Sequence, residues 1–166
     1  MVFDPAMAPR DRLSFMAWYE RQVDWPDDDS TFNPATSSPA RRSWYEGMLP
    51  DWPNMQEVGD DQVDDPHITG YSFTPHAIYV DFRWSAAEEA YEATRRIAVK
   101  YEVGFYDVSG DEGDGEIYFP GDTLRSPSGG AWRQIATDFQ SGDLSKYTGQ
   151  SEPPKRRWFD FFRRNK

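Results

Sequence analysis

With 166 residues, 29 acidic against 18 basic side chains and not one cysteine, the chain has the size of one ordinary domain and excludes disulfides, thiolate zinc, iron–sulfur ligation and a cysteine nucleophile. Its 7 Trp, 9 Tyr and 11 Phe promise a packed core, while no apolar run approaches the ~18 residues of a membrane span. Charge is uneven: residues 1–150 carry 12 basic and 27 acidic side chains, net −15, and residues 151–166 carry 6 basic and 2 acidic, net +4, so the body repels phosphate backbones and attracts a basic protein.

Met1-Val2-Phe3-Asp4-Pro5 lacks the basic and apolar regions of a secretory signal, which points to the cytoplasm. From about Arg10 to Val23 the spacing predicts a helix, with Leu13, Met16, Ala17 and Val23 near one face and Phe15, Trp18 and Tyr19 widening it. Trp25-Pro26-Asp27-Asp28-Asp29-Ser30 ends it in a loop. Ser38-Pro39 predicts a second start, the serine as cap and the proline in the first turn; Trp44, Tyr45, Met48 and Leu49 share a face, and Pro50 is the stop. Residues 53–66, rich in Asp, Gly and Pro, read as a solvated connector outside the core.

Ile78, Val80, Phe82 and Trp84 alternate with Tyr79, Asp81 and Arg83, the period-2 pattern of a half-buried strand, and Ile68–Phe73 is its expected hairpin partner. Ser85-Ala86-Ala87-Glu88 fits a capping box opening a helix over about 86–102, with Ala87, Ala90, Tyr91, Thr94, Ile97, Ala98 and Tyr101 facing the sheet and Gly104 as a left-handed end cap. Phe105–Val108 and Glu116–Phe119 predict two more strands, so that strand, helix and strand form a crossover flanked by hairpins. A helix follows over about Ala131–Phe139 and a Gly-, Ser- and Pro-rich linker over 141–157. The expectation is an α+β fold: one acidic domain over 1–140 with a mostly antiparallel sheet of about four strands, then a linker and basic aromatic tail over 141–166.

Catalytic chemistry finds little footing. His67 and His76 fall at opposite ends of one predicted strand, a spacing that builds neither a metal pair nor an oriented base. Asp107, Asp111, Glu112 and Asp114, with Glu116, are the best candidates for a hard cation, but they miss the calcium-loop pattern and fit a solvated acidic hairpin. The runs Asp27–Asp29 and Asp60, Asp61, Asp64, Asp65 lie in the most polar stretches, where no carboxyl is raised by burial. Phosphate-cradling glycine loops and nucleophile elbows are missing from the sequence, and no cofactor is expected.

Lys155–Lys166 interleaves cations with Trp158, Phe159, Phe161 and Phe162. Arg156, Arg157, Trp158, Phe159 and Phe162 are its candidate contacts, either to an anionic membrane, an RNA strand or an acidic partner, or folded back on the acidic body.

Phe15–Gln22, Tyr79–Tyr91 and Gly104–Ser109 resemble a family of small acidic bacterial proteins, over roughly residues 2–120. Some members resemble immunity proteins of polymorphic or contact-dependent toxin systems, and the resemblance implies neutralisation of a toxin by binding it. The leading expectation is therefore a non-catalytic binding protein that occludes a basic toxin, with Trp18, Tyr19, Trp44, Tyr45, Asp111, Glu112 and Asp114 as contacts; core packing competes as the role of those aromatics. A divalent-metal enzyme using hairpin 107–116 and a membrane-peripheral regulator using the tail are the alternatives.

Overall fold

The computed structural model describes residues 1–24, 32–62, 64–110, 115–124 and 132–142. Six strands and four helices follow one another as β1 (Val2–Phe3), α1 (Arg12–Gln22), α2 (Pro39–Met48), β2 (Gly70–Phe73), β3 (Ala77–Asp81), α3 (Ala87–Lys100), β4 (Gly104–Tyr106), β5 (Ile117–Phe119), β6 (Asp122–Leu124) and α4 (Trp132–Ser141). The fold is α+β as expected, but the sheet has six strands in the order β2-β3-β1-β4-β5-β6, each antiparallel to its neighbours. Sequence reading missed β1, too short for any periodicity, and β6, which Pro120-Gly121 signals as a two-residue turn with Gly121 at φ 84°.

β3 and β4 both pair antiparallel with β1, so they run parallel to each other, and the expected crossover through α3 passes over β1. Successive residues of β1 point to opposite faces. Val2 joins Ile78, Val80 and Phe105 beneath α2 and α3, against Trp44, Met48, Ala90 and Ile97. Phe3 joins Tyr106, Ile117 and Phe119 beneath α1, against Phe15 and Trp18. Its ring meets those of Phe15, Trp18 and Phe119 edge-on at 5.1, 5.7 and 5.2 Å, the geometry aromatic quadrupoles favour.

Several local expectations are corrected. The buried face of α1 is Phe15 and Trp18, whereas Leu13 is 84% exposed, because the aromatic rings fill the space above Phe3. Asp11, accepting from Ser14 N at 2.9 Å, caps that helix. Ser38 does not cap α2; its Oγ accepts from Arg41 Nε at 3.2 Å instead, although Pro39 takes the first turn and the helix ends at Met48, before Pro50. The capping box is not formed: Trp84–Ala86 tighten into a 3-10 turn closed by Ala86 N on Arg83 O, and α3 starts at Ala87. Glu102, not Gly104, takes the left-handed position after α3, at φ 54°, with Val103 N on Ala98 O and Glu102 N on Val99 O. Gly104 lies within β4, where a Cβ would clash with the Phe3 ring at 2.2 Å. The connector is mostly exposed, yet Asn54 is buried, donating through Nδ2 to the Tyr45 hydroxyl at 2.9 Å.

Candidate functional site

A cleft of about 670 Å³ opens at the carboxyl ends of β3 and β4. It exists because β1 is so short. Val2 bridges Ile78 and Phe105, and the Met1 amine next to it donates to Tyr106 O at 3.0 Å. Beyond that point β3 runs on through Val80 and Asp81 and the chain leaves β4 through Asp107 and Val108, with no strand between them among the described residues. Carboxyl ends of parallel strands separated in this way are a recurrent place for ligands in open sheets.

One end of the cleft is polar. Asp107 is buried there, its Oδ2 accepting from Trp132 Nε1 at 2.8 Å and its Oδ1 from Ser109 N at 3.0 Å. Burial pushes this carboxyl above the ordinary range, and the two donors and the Met1 amine oppose that rise. Burial likewise pushes the Met1 amine down to about 5. The Tyr91 hydroxyl donates to Glu116 Oε2, while Arg95 Nε pairs with Glu116 Oε1 at 3.0 Å. Burial first, and then the Glu116 carboxylate, raise the Tyr91 phenol well above its usual range. The Arg133 guanidinium covers both Tyr91 and Trp132, 5.0 and 4.7 Å from the ring centres. Thr94 Oγ1, buried on the α3 wall, has no hydrogen-bond partner among the described residues.

Elsewhere Met55, Phe82, Trp84 and Phe139 give the lining apolar surface, with Asp81 and Arg83 as its charged members. Met55 Sδ lies over Gly70, where a Cβ would come within 3.3 Å of the sulfur. Met55 and Phe139 are each 39% exposed. α4 closes this side, Gln140 Nε2 donating to Ser85 O at 3.3 Å.

Asp107, in the lining, and Glu116, bonded to Tyr91, are already engaged by N–H and O–H donors, and among the described lining residues there is no histidine. Aromatic faces beside carboxylates suit a cationic or aromatic side chain.

The sequence-predicted residues fall out differently. Trp18, Trp44 and Tyr45 are buried in the two cores and Tyr19 packs edge-on against Tyr106 at 5.1 Å, which corrects the expectation of exposed anchors. Asp107 enters the cleft but spends its oxygens on Trp132 and Ser109. Asp111, Glu112 and Asp114, the Asp27–Asp29 run, and Arg156, Arg157, Trp158, Phe159 and Phe162 lie outside the described residues. Among the described residues no group of three or more His, Asp or Glu is placed to hold a metal ion, and no helix is long and apolar enough to cross a membrane. His67 stacks on Trp52 at 4.6 Å with Nε2 3.5 Å from Glu89 Oε2, and His76 sits in the β2–β3 turn. Sequence reasoning missed this cluster: Tyr91 and Arg95, one turn apart on α3, meet on Glu116, and α4 docking adds Trp132 against Tyr91 and Asp107, which no local pattern encodes.

No family model matches the chain, and no curated protein or solved structure does either.

Proposed function

We propose that this protein is a non-catalytic protein-binding protein that holds a basic partner against its acidic body, in the manner of an immunity protein covering the site of a toxin. One observation carries the reading. The segment before β2 exposes the carboxylates Glu57, Asp61, Asp64 and Asp65, and His67 at its end reaches Glu89 at the start of α3, where Glu88 and Glu89 are also exposed. Like charges gathered on one face destabilise a fold slightly but steer and accelerate encounter with an opposite surface.

Titration calorimetry of the full chain against a basic toxin tests the reading. Submicromolar binding that weakens with salt, and weakens further in Glu88→Lys with Glu89→Lys, is expected. No heat at micromolar concentration overturns it.

A further inference from the structure

We infer that the cleft beneath α3 is a binding site for a small, uncharged aromatic molecule carrying a hydroxyl group, anchored by the hydroxyl of Thr94. Its occupancy does not depend on the proposed protein partner. Two independent observations point to it.

The first is an unanswered polar atom. Thr94 is 1% exposed, belongs to the lining of the cleft, and its Oγ1 has no hydrogen-bond partner among the described residues. A helical threonine ordinarily returns its hydroxyl to a carbonyl of the preceding turn, and Thr94 does not. The helix is also held against any shift that would supply a partner. Thr94 O accepts from the buried Trp44 Nε1 at 3.2 Å, and Tyr91, one turn earlier, bonds Glu116 and packs on Phe105 and Trp132 at 5.4 and 5.5 Å. A buried hydroxyl left unbonded costs stability, and a ligand that bonds it recovers that cost.

The second is the character of the space that Thr94 lines. Its volume, about 670 Å³, falls within the range of small-molecule sites. Ala87, Tyr91 and Thr94, spaced four and three apart, form the α3 wall, and Val80 and Phe105 lie opposite on β3 and β4. Tyr91 has already given its hydroxyl to Glu116, so what accompanies Thr94 on these walls is aromatic and aliphatic surface. A lone water needs two to four polar partners, which these walls do not offer. A flat ring with one hydroxyl fits them, the ring against Val80, Tyr91 and Phe105 and the oxygen sharing a hydrogen bond with Thr94 Oγ1. The lining carboxylates of Asp81 and Asp107 disfavour an anion, and Asp107 already accepts from Trp132 and Ser109, which leaves a buried cation unmatched at that wall.

2-Naphthol serves as the probe and naphthalene, the same rings without the hydroxyl, as its comparator, each titrated into the full chain and followed by amide and methyl NMR signals. Saturable shifts at Val80, Ala87, Thr94 and Phe105, with Leu13 and Glu20 on α1 unmoved, are expected from 2-naphthol, and naphthalene at equal concentration should move the same signals several-fold less. Thr94→Val keeps the shape and removes the hydroxyl; it should weaken 2-naphthol by about tenfold, leave naphthalene unchanged, and leave the melting temperature of the free protein equal or higher. Thr94→Ser should keep the preference for 2-naphthol. No saturable shift up to millimolar probe, or shifts scattered over the surface, overturns the inference. Equal binding of 2-naphthol by the parent and Thr94→Val overturns it as well. So does a lower melting temperature of free Thr94→Val, which would mean that the hydroxyl is already bonded by water.

Discussion

The indole of Trp132 donates to the buried Asp107 carboxylate at 2.8 Å, and this single bond ties α4 to the end of β4 and so builds the polar wall of the cleft. Trp132→Phe preserves most of the ring but removes the donor, leaving a buried carboxylate with Ser109 N and the charges of the Met1 amine and Arg133. A loss of about 1–3 kcal/mol is expected, measured as a lower urea midpoint. A midpoint unchanged from the parent would show that water replaces the indole without penalty.

Gly104 gives the sharpest packing test. Its missing side chain is the space that the Phe3 ring occupies, so Gly104→Ala forces that ring, and with it Phe15, Trp18 and Phe119, to move. Overpacking of this kind costs about 1–3 kcal/mol. Thermal melts should reveal the loss, and Gly104→Ala with Phe3→Leu should recover part of it if the clash is the cause.

The two faces of α1 should respond oppositely to substitution. Leu13→Lys, at a position 84% exposed, is expected to change stability by no more than about 0.5 kcal/mol. Phe15→Ala empties a site enclosed by Phe3, Tyr106 and Phe119 and should cost about 3–5 kcal/mol. Equal effects in chemical denaturation would contradict the packing described.

A pH dependence follows from the amine of Met1, which burial lowers from an ordinary 8.0 to about 5 in the folded chain. Between those values the unfolded chain binds the extra proton, so the free energy of unfolding rises with pH across that window and levels off above it. Below about 5 both states are protonated and this contribution is gone. Urea midpoints of the chain beginning at Met1 should climb from the acid to the alkaline side of the window; a flat profile would place the amine in water.

Arg41 shows how a cation is kept inside without a carboxylate within ion-pair distance among the described residues. Its guanidinium donates to Thr74 O at 3.0 Å, to Pro75 O and to Ser38 Oγ, and burial lowers its pKa, with Asp4 opposing. This fork pins α2 to the β2–β3 turn. Arg41→Lys supplies a charge without the planar geometry and should destabilise by about 1–3 kcal/mol, read as a shifted denaturation midpoint.

What the sequence by itself determined was local. The alternation from Ile78 onward, the threefold and fourfold spacing from Ala87 to Lys100 and the stop at Pro50 are written in neighbouring residues, and each appears in the fold within a few positions. Tertiary structure decided the rest. Val2–Phe3 is a strand only because β3 and β4 offer hydrogen-bond partners on both sides; Phe15 and Trp18 turn inward only because Phe3 lies beneath them; and Gly104 is required by a ring a hundred residues earlier. The cleft belongs to the same class, since it is the space left where a two-residue strand ends between two longer ones. Contacts between residues far apart in the chain leave no period in the sequence, and the surface that would meet a partner is made of such contacts.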